Sequence, residues 1–127
     1  MRLLLDANAV LWWFDGDERL SKAARHAINA PRHETFVSVA AVWEIAIKTA
    51  IGKLNAQALL DNIEERFGAA GFAVLPISLD HALRAGSLPG HHKDPFDRLL
   101  IAQANVERAD LVSADQVFHQ YSVNVLW

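Results

Sequence analysis

The chain has 127 residues, 52% of them hydrophobic and 21% charged, which fits one globular domain spanning 1–127 with a proper core and excludes a disordered chain. It has no cysteine, so neither a disulfide scaffold nor a thiolate zinc site is open to it. The formal net charge is −3, which argues against a hold on nucleic acid by phosphate contacts alone and leaves clustered acids with divalent cations as the other source of positive charge.

The opening run, Leu3-Leu4-Leu5, reads as a short strand buried inside a parallel sheet. Asp6 sits where that strand ends. Ligands of open α/β sheets bind beyond the carboxyl ends of the strands, so this acid stands where chemistry is expected. The run also lacks the apolar core of a signal peptide, and no apolar stretch approaches the ~18 residues of a membrane span. Both suit a cytoplasmic protein that meets no membrane.

Residues 9–14 form a dense apolar segment, predicted as a short helix that ends at Asp15-Gly16-Asp17. Trp12, Trp13 and Phe14 are many aromatics for one short helix. They suit core packing, or else a partner surface. Ser21 predicts an N-cap and a helix broken at Pro31. Residues 35–38 read as a strand, and Ser38 then caps a helix from Val39 to about Ile51, stopped at Gly52. One helix is predicted over 56–67, ended by Gly68, and a strand over 72–77. Ser78 caps a short helix to Ala85, and 86–93 is a loop. Asp94-Pro95 opens the last strong helix, which runs to about Arg108. A strand over 110–113 leads to Asp115, then one helical turn over 116–121 and a final strand over 123–126. Strands alternating with helices imply βαβ units and a parallel sheet.

Four carboxylates stand out. Glu44 lies in the helix from Val39, beside an expected apolar stripe of Val42, Trp43, Ala46 and Ala50, on a flank shared with Ala40, Ile47 and Ile51. A carboxylate there is costly without a partner. Lys48, one turn on, is the ordinary one, in an i,i+4 pair worth only ~0.2–0.5 kcal/mol. Asp97 extends the apolar stripe of Leu100, Ile101 and Ala104, or simply favours the helix dipole from the first turn. Asp94 is well explained as an N-cap. Asp115 follows a buried strand as Asp6 does, with Ser113 placed to support it, or is a plain turn residue. If these acids converge, their mutual repulsion is relieved by a bound cation, and oxygen ligands suit Mg²⁺ or Mn²⁺.

Asp6 after an apolar strand, Trp43-Glu44-Ile45 in a helix, and Asp94-Pro-Phe-Asp97-Arg-Leu-Leu-Ile-Ala followed by Leu-Val-Ser-Ala-Asp115 together resemble the PIN-domain family, and within it the VapC-type toxins of type II toxin–antitoxin pairs. The resemblance covers nearly the whole chain. It implies an α/β fold of three layers, α/β/α, around a central parallel sheet. It implies an endoribonuclease dependent on Mg²⁺ or Mn²⁺ that hydrolyses RNA phosphodiesters. Asp6, Glu44 and Asp97 match the three main family acids, and Asp115 the more variable fourth. Asp6 and Asp97 are then expected as direct metal ligands, with Glu44 and Asp115 holding waters or a second ion. Asp94, Asn8 and Ser113 are possible additions. Arg98, Lys93 and His92 are possible RNA contacts, or else parts of a solvated loop. A homodimer and a VapB-type antitoxin that blocks the site and binds operator DNA are the implied partners. Many close relatives read Asp-Thr-His where this chain has Asp6-Ala7-Asn8. Ala7 removes a hydroxyl, and Asn8 can compensate.

Two other classes compete. One is a non-catalytic PIN-like protein-binding module, which the presence of all four acids disfavours. The other is a phosphotransfer domain. Its haloacid-dehalogenase-like form wants an aspartate at position 8, where this chain has Asn8.

Overall fold

The computed structural model describes residues 1–90 and 94–127. Three consecutive leucines place β1 (Arg2–Leu5) where both faces are covered, and Leu3, Leu4 and Leu5 have no exposed surface. β1 is the middle strand of a five-stranded sheet of order β3-β2-β1-β4-β5, with β2 (Glu34–Ser38), β3 (Phe72–Leu75), β4 (Ala109–Val112) and β5 (Val125–Leu126). Every neighbouring pair is parallel.

Side chains alternate across a strand, so Leu3 and Leu5 enter one core and Leu4 the other. The first core is closed by α1 (Ala7–Asp15), α2 (Lys22–Asn29), α3 (Val39–Ala50), α4 (Gln57–Asp61) and α5 (Ile63–Ala70). The second is closed by α7 (Pro95–Glu107) and the 3₁₀ turn Gln116–Gln120, with Leu88 at the end of α6 (Leu79–Ser87). Helices therefore cover both faces, and the expected three-layer α/β arrangement is what the chain adopts. Each fully buried leucine contributes roughly 1.5–3 kcal/mol.

The aromatics of α1 are half-buried and pack against the first core. Trp13 and Phe14 pack on Phe72 at 5.9 and 5.7 Å between ring centroids, and Phe14 stacks on Phe67 at 5.8 Å. Trp12 meets Trp127 edge-on at 5.8 Å. The polar side of α6 is also tied in. Ser78 Oγ accepts from the His81 N–H, and the Ser78 N–H donates to His81 Nδ1 at 3.0 Å. The buried His81 then reaches Glu107 of α7 through Nε2 at 2.9 Å.

Several local expectations need correction. The apolar stripe of α3 is not Val42, Trp43, Ala46 and Ala50. Ala40, Ala41 and Ile45 are buried, while Val39, Trp43, Ile47 and Ile51 are exposed. α1 begins at Ala7, two residues earlier than expected, because Asp6 caps it. The single helix over 56–67 is two helices. Asn62 leaves helical geometry (φ −127°, ψ 29°), and its side chain turns back to the Ala58 carbonyl. Glu64 and Glu65 then favour a fresh N-terminus for α5.

The stop at Gly68 is also displaced. Gly68 lies inside α5, and Gly71 makes the left-handed cap at φ 78°. A Cβ at either glycine meets nothing within 4 Å. The two alanine variants therefore separate backbone conformation from packing. Gly71→Ala is expected to destabilise the fold by roughly 1 kcal/mol, and Gly68→Ala to stabilise it by roughly 0.5–1 kcal/mol. Urea unfolding of both variants checks the pair. Equal shifts of one sign would contradict this helix end.

Candidate active site

The strand order changes direction at β1. The chain runs from β1 outward through β2 to β3, then returns to the other side of β1 as β4. Such a switch point leaves a crevice at the carboxyl ends of the two strands on either side. Leu5 pairs with Val112, so Asp6 and Ser113 leave the sheet side by side. The Asp6 N–H donates to the Val112 carbonyl at 3.2 Å, which fixes the exit.

Asp6, Ala7, Asn8, Glu44, Lys48, Asp94, Asp97 and Asp115 line one polar pocket of about 160 Å³ above this crevice. Its acids come from four separate segments: the end of β1, the middle of α3, the start of α7 and the turn after β4. Ser113 lies just below, buried. Asn8 also lines an adjoining groove with Trp12, Arg19 and Asn55.

Each acid is positioned by its local backbone. Asp6 caps α1, with Oδ1 accepting from the Ala9 N–H at 2.8 Å. Asp94 caps α7, where Oδ1 accepts from the N–H groups of Phe96 and Asp97 at 2.9 and 3.3 Å. Asp97 then stands in the first turn of α7, above the buried Leu100, Ile101 and Ala104. Asp115 caps the 3₁₀ turn, with Oδ1 on the Val117 N–H at 3.0 Å. Ser113 Oγ accepts from the Asp115 N–H at 3.0 Å. Glu44 projects from α3 with a side chain only 12% exposed, and its Oε2 lies 2.6 Å from Lys48 Nζ.

Asp6 is the most constrained of the set, at 8% exposure. Burial above all pushes its carboxyl from 3.8 up to about 6, and the charges of Glu44 and Asp115 act the same way. Hydrogen bonds from Ser113 and the Ala9 N–H oppose the rise. Lys48 is affected in the complementary sense. Its bond to Glu44, and then the negative charges of Glu44, Asp94 and Asp97, hold its ammonium above the ordinary lysine value.

Among the described residues, no three Asp, Glu or His side chains are gathered tightly enough to hold a metal ion in this arrangement. The acids are turned onto protein partners instead: the caps occupy one oxygen of Asp6, Asp94 and Asp115, and Lys48 holds Glu44. In kind, the set nevertheless fits a hard divalent cation. Its carboxylates offer oxygen donors only, and Asp6 is a buried carboxylate whose carboxyl burial pushes up to about 6.

The i,i+4 spacing of Lys48 from Glu44 predicts an ordinary helix pair outside any site. The pair forms, and it lines the pocket itself. The spacing from Glu44 was the available signal. Arg98 is placed differently from the expectation of a phosphate contact. Its Nε, Nη1 and Nη2 donate to the carbonyls of Ala85, Pro89 and Leu88 at 3.1, 3.0 and 2.7 Å. The guanidinium thus ties the first turn of α7 to the end of α6 and to residues 88–89. Lys93 and His92, the other expected RNA contacts, lie outside the described residues together with His91. No helix among the described residues is long and apolar enough to cross a membrane.

Comparison with known proteins sets this geometry in a family. The PIN domain family model matches residues 3–124. No curated protein matches the chain in sequence. Among solved structures, the chain is similar to VapBC2 from Rickettsia felis bound to a DNA fragment from their promoter, with 13% identity and a TM-score of 0.75 over 98% of this chain and 97% of that one. It is also similar to a toxin–antitoxin complex from Klebsiella pneumoniae (20% identity, TM-score 0.70, 98% and 96% covered) and to FitAcB from Neisseria gonorrhoeae (18%, 0.64, 97% and 95%). At such low identity these likenesses speak for the fold, while the family model covers nearly the whole sequence. The chain belongs to the PIN domain family.

Proposed function

We infer that the chain is a metal-dependent endoribonuclease and the toxin of a VapBC-type toxin–antitoxin pair. The observation that carries this reading is the convergence of five carboxylates, from four segments, on one pocket at the switch point of the sheet. Membership of the PIN domain family and the fold shared with toxin–antitoxin complexes support it.

Asp6 and Asp97 are assigned as the direct ligands of Mg²⁺ or Mn²⁺, and Glu44 and Asp115 as holders of its waters or of a second ion. A divalent cation bound there would activate water and neutralise phosphoryl oxygens. The protein's own part is orientation. The α1 cap fixes one oxygen of Asp6, and the Asp94 cap sets the first turn of α7 and with it Asp97. Arg98 serves this reading by tying the start of α7 to the end of α6 and residues 88–89. A VapB-type antitoxin and a second copy of the chain are the proposed partners, and exposed Val39, Trp43, Ile47 and Ile51 offer apolar surface for one of them. A cytoplasmic location belongs to the same reading.

The test is cleavage of end-labelled total tRNA and rRNA by the purified protein in Mn²⁺, in Mg²⁺ and in EDTA. Discrete cuts that need the metal are the expected result. A folded, antitoxin-free protein that cuts nothing in any of these conditions would favour the protein-binding module.

A further inference from the structure

We propose that Lys48 is the resident cation of the acidic pocket: in the metal-free protein it holds Glu44, and it yields Glu44 when a divalent ion enters. The proposal rests on the metal-site reading above and deepens it.

The geometry is unlike that of a surface i,i+4 pair. Glu44 is nearly enclosed, at 12% side-chain exposure, while Lys48 keeps 44% of its side chain in solvent. The ammonium reaches inward from the rim, and its Nζ stands 2.6 Å from Glu44 Oε2. Among the described residues lining the pocket it is the one basic side chain, against Asp6, Glu44, Asp94, Asp97 and Asp115. It also feels Asp94 and Asp97 across the pocket. Carboxylates that line one pocket repel one another, and a cation among them relieves that repulsion. Lys48 meets that need from within the chain, by a flexible stem that can swing back to solvent.

The same contact opposes metal binding. A divalent ion drawing on Glu44 must displace the ammonium or share the pocket with it. A unit charge a few ångströms from a divalent ion is a strong repulsion even with partial solvent screening. Lys48 therefore sets a threshold: the pocket stays stable and closed to weakly held ions, and only a firmly bound divalent cation takes the acids over.

The experiment compares the wild-type chain with Lys48→Met, which keeps the length of the stem and removes the charge, and with Lys48→Arg. In EDTA, the melting temperature is followed against NaCl. Lys48→Met is expected to melt several degrees below wild type at low salt, with the gap shrinking as salt screens the unpaired acids, while Lys48→Arg stays near wild type. Mn²⁺ binding is then measured by calorimetry. Lys48→Met is expected to bind Mn²⁺ about tenfold or more tightly than wild type. That gain should disappear in Glu44→Gln/Lys48→Met when it is compared with Glu44→Gln. Equal or weaker Mn²⁺ binding by Lys48→Met would overturn the exchange and leave Lys48 as an orienting residue for Glu44. An absent or salt-independent gap in EDTA would overturn the resident-cation role whatever the metal does. No Mn²⁺ binding by either protein, with the salt-dependent gap intact, would overturn the metal-site reading and the exchange with it, and so separates the two failures.

Discussion

Replacing Asp97 by Asn is expected to lower the rate of metal-dependent RNA cleavage by roughly 10²–10³-fold while leaving the thermal unfolding of the metal-free protein nearly unchanged. Asp97 stands in the first turn of α7, held in register by the Asp94 cap at its own N–H. Asn has the same shape and tolerates the start of a helix, so the backbone and the buried stripe below it stay in place. What is removed is one negative charge and one metal-directed oxygen. Charge stabilisation by a bound cation supplies several kcal/mol to phosphoryl chemistry, and each ~1.4 kcal/mol is a factor of ten in rate. Single-turnover cleavage in Mn²⁺, beside the melting curve in EDTA, checks both halves. Near-wild-type cleavage would remove Asp97 from the ligand set. A large loss of melting temperature would show that Asp97 is chiefly a structural acid at the start of the helix.

Much of this site could be read without coordinates, for reasons that can be stated residue by residue. Asp6 was legible because a run of leucines can be satisfied only in a strand buried on both faces, and the next polar residue must then stand at its end. Asp94 and Asp97 were legible because Pro95 marks the helix start so sharply. The buried face of α3 was not legible. Nearly every residue from Val39 to Ile47 is apolar, so the sequence carries no period to say which side is covered. Packing against α1 and α7 decides that Ala41 and Ile45 go in while Trp43 stays 57% exposed, with its ring edge-on to Phe96 at 5.3 Å. Nor could the role of Arg98 be read. Among the described residues it donates to the backbone carbonyls of Ala85, Leu88 and Pro89, groups that every residue carries and no residue type announces. The break between α4 and α5 is not legible in the sequence because Asn62 is tolerable in a helix, and its non-helical backbone shows only in the structure. The spacing of Glu44 and Lys48 announces an i,i+4 pair but not its place, since a salt bridge and a pocket wall can be the same contact.

Asp6→Asn is expected to make the metal-free protein more stable at pH 7 while abolishing metal-dependent cleavage. Asn remains a good N-cap, so the bond from the Ala9 N–H survives the change, and the Ser113 hydroxyl can accept where it donated. What disappears is a buried negative charge beside Glu44 and Asp115. The folded-state carboxyl titrates at about 6, against 3.8 for the free group. The folded protein thus binds this proton more tightly than the unfolded chain does. Above about pH 6 the ionised carboxylate weakens the fold by an amount of roughly 3 kcal/mol, at 1.36 kcal/mol per pH unit of difference. As the pH falls through 6 the folded protein takes up the proton and that cost fades; below 3.8 both states are protonated and it is gone. The stability difference between Asp6→Asn and wild type should therefore be greatest at pH 7 and above, shrink through pH 6, and close by about pH 4. Urea unfolding in EDTA across that range reads it directly. Mn²⁺ at pH 7 should narrow the difference from the other side, by stabilising the wild type and leaving the variant where it was. A variant that is less stable than wild type at pH 7, or a difference that does not change with pH, would mean that the pocket already compensates Asp6 without a cation. The acid that best explains why this pocket calls for a metal would then be explained by the fold alone.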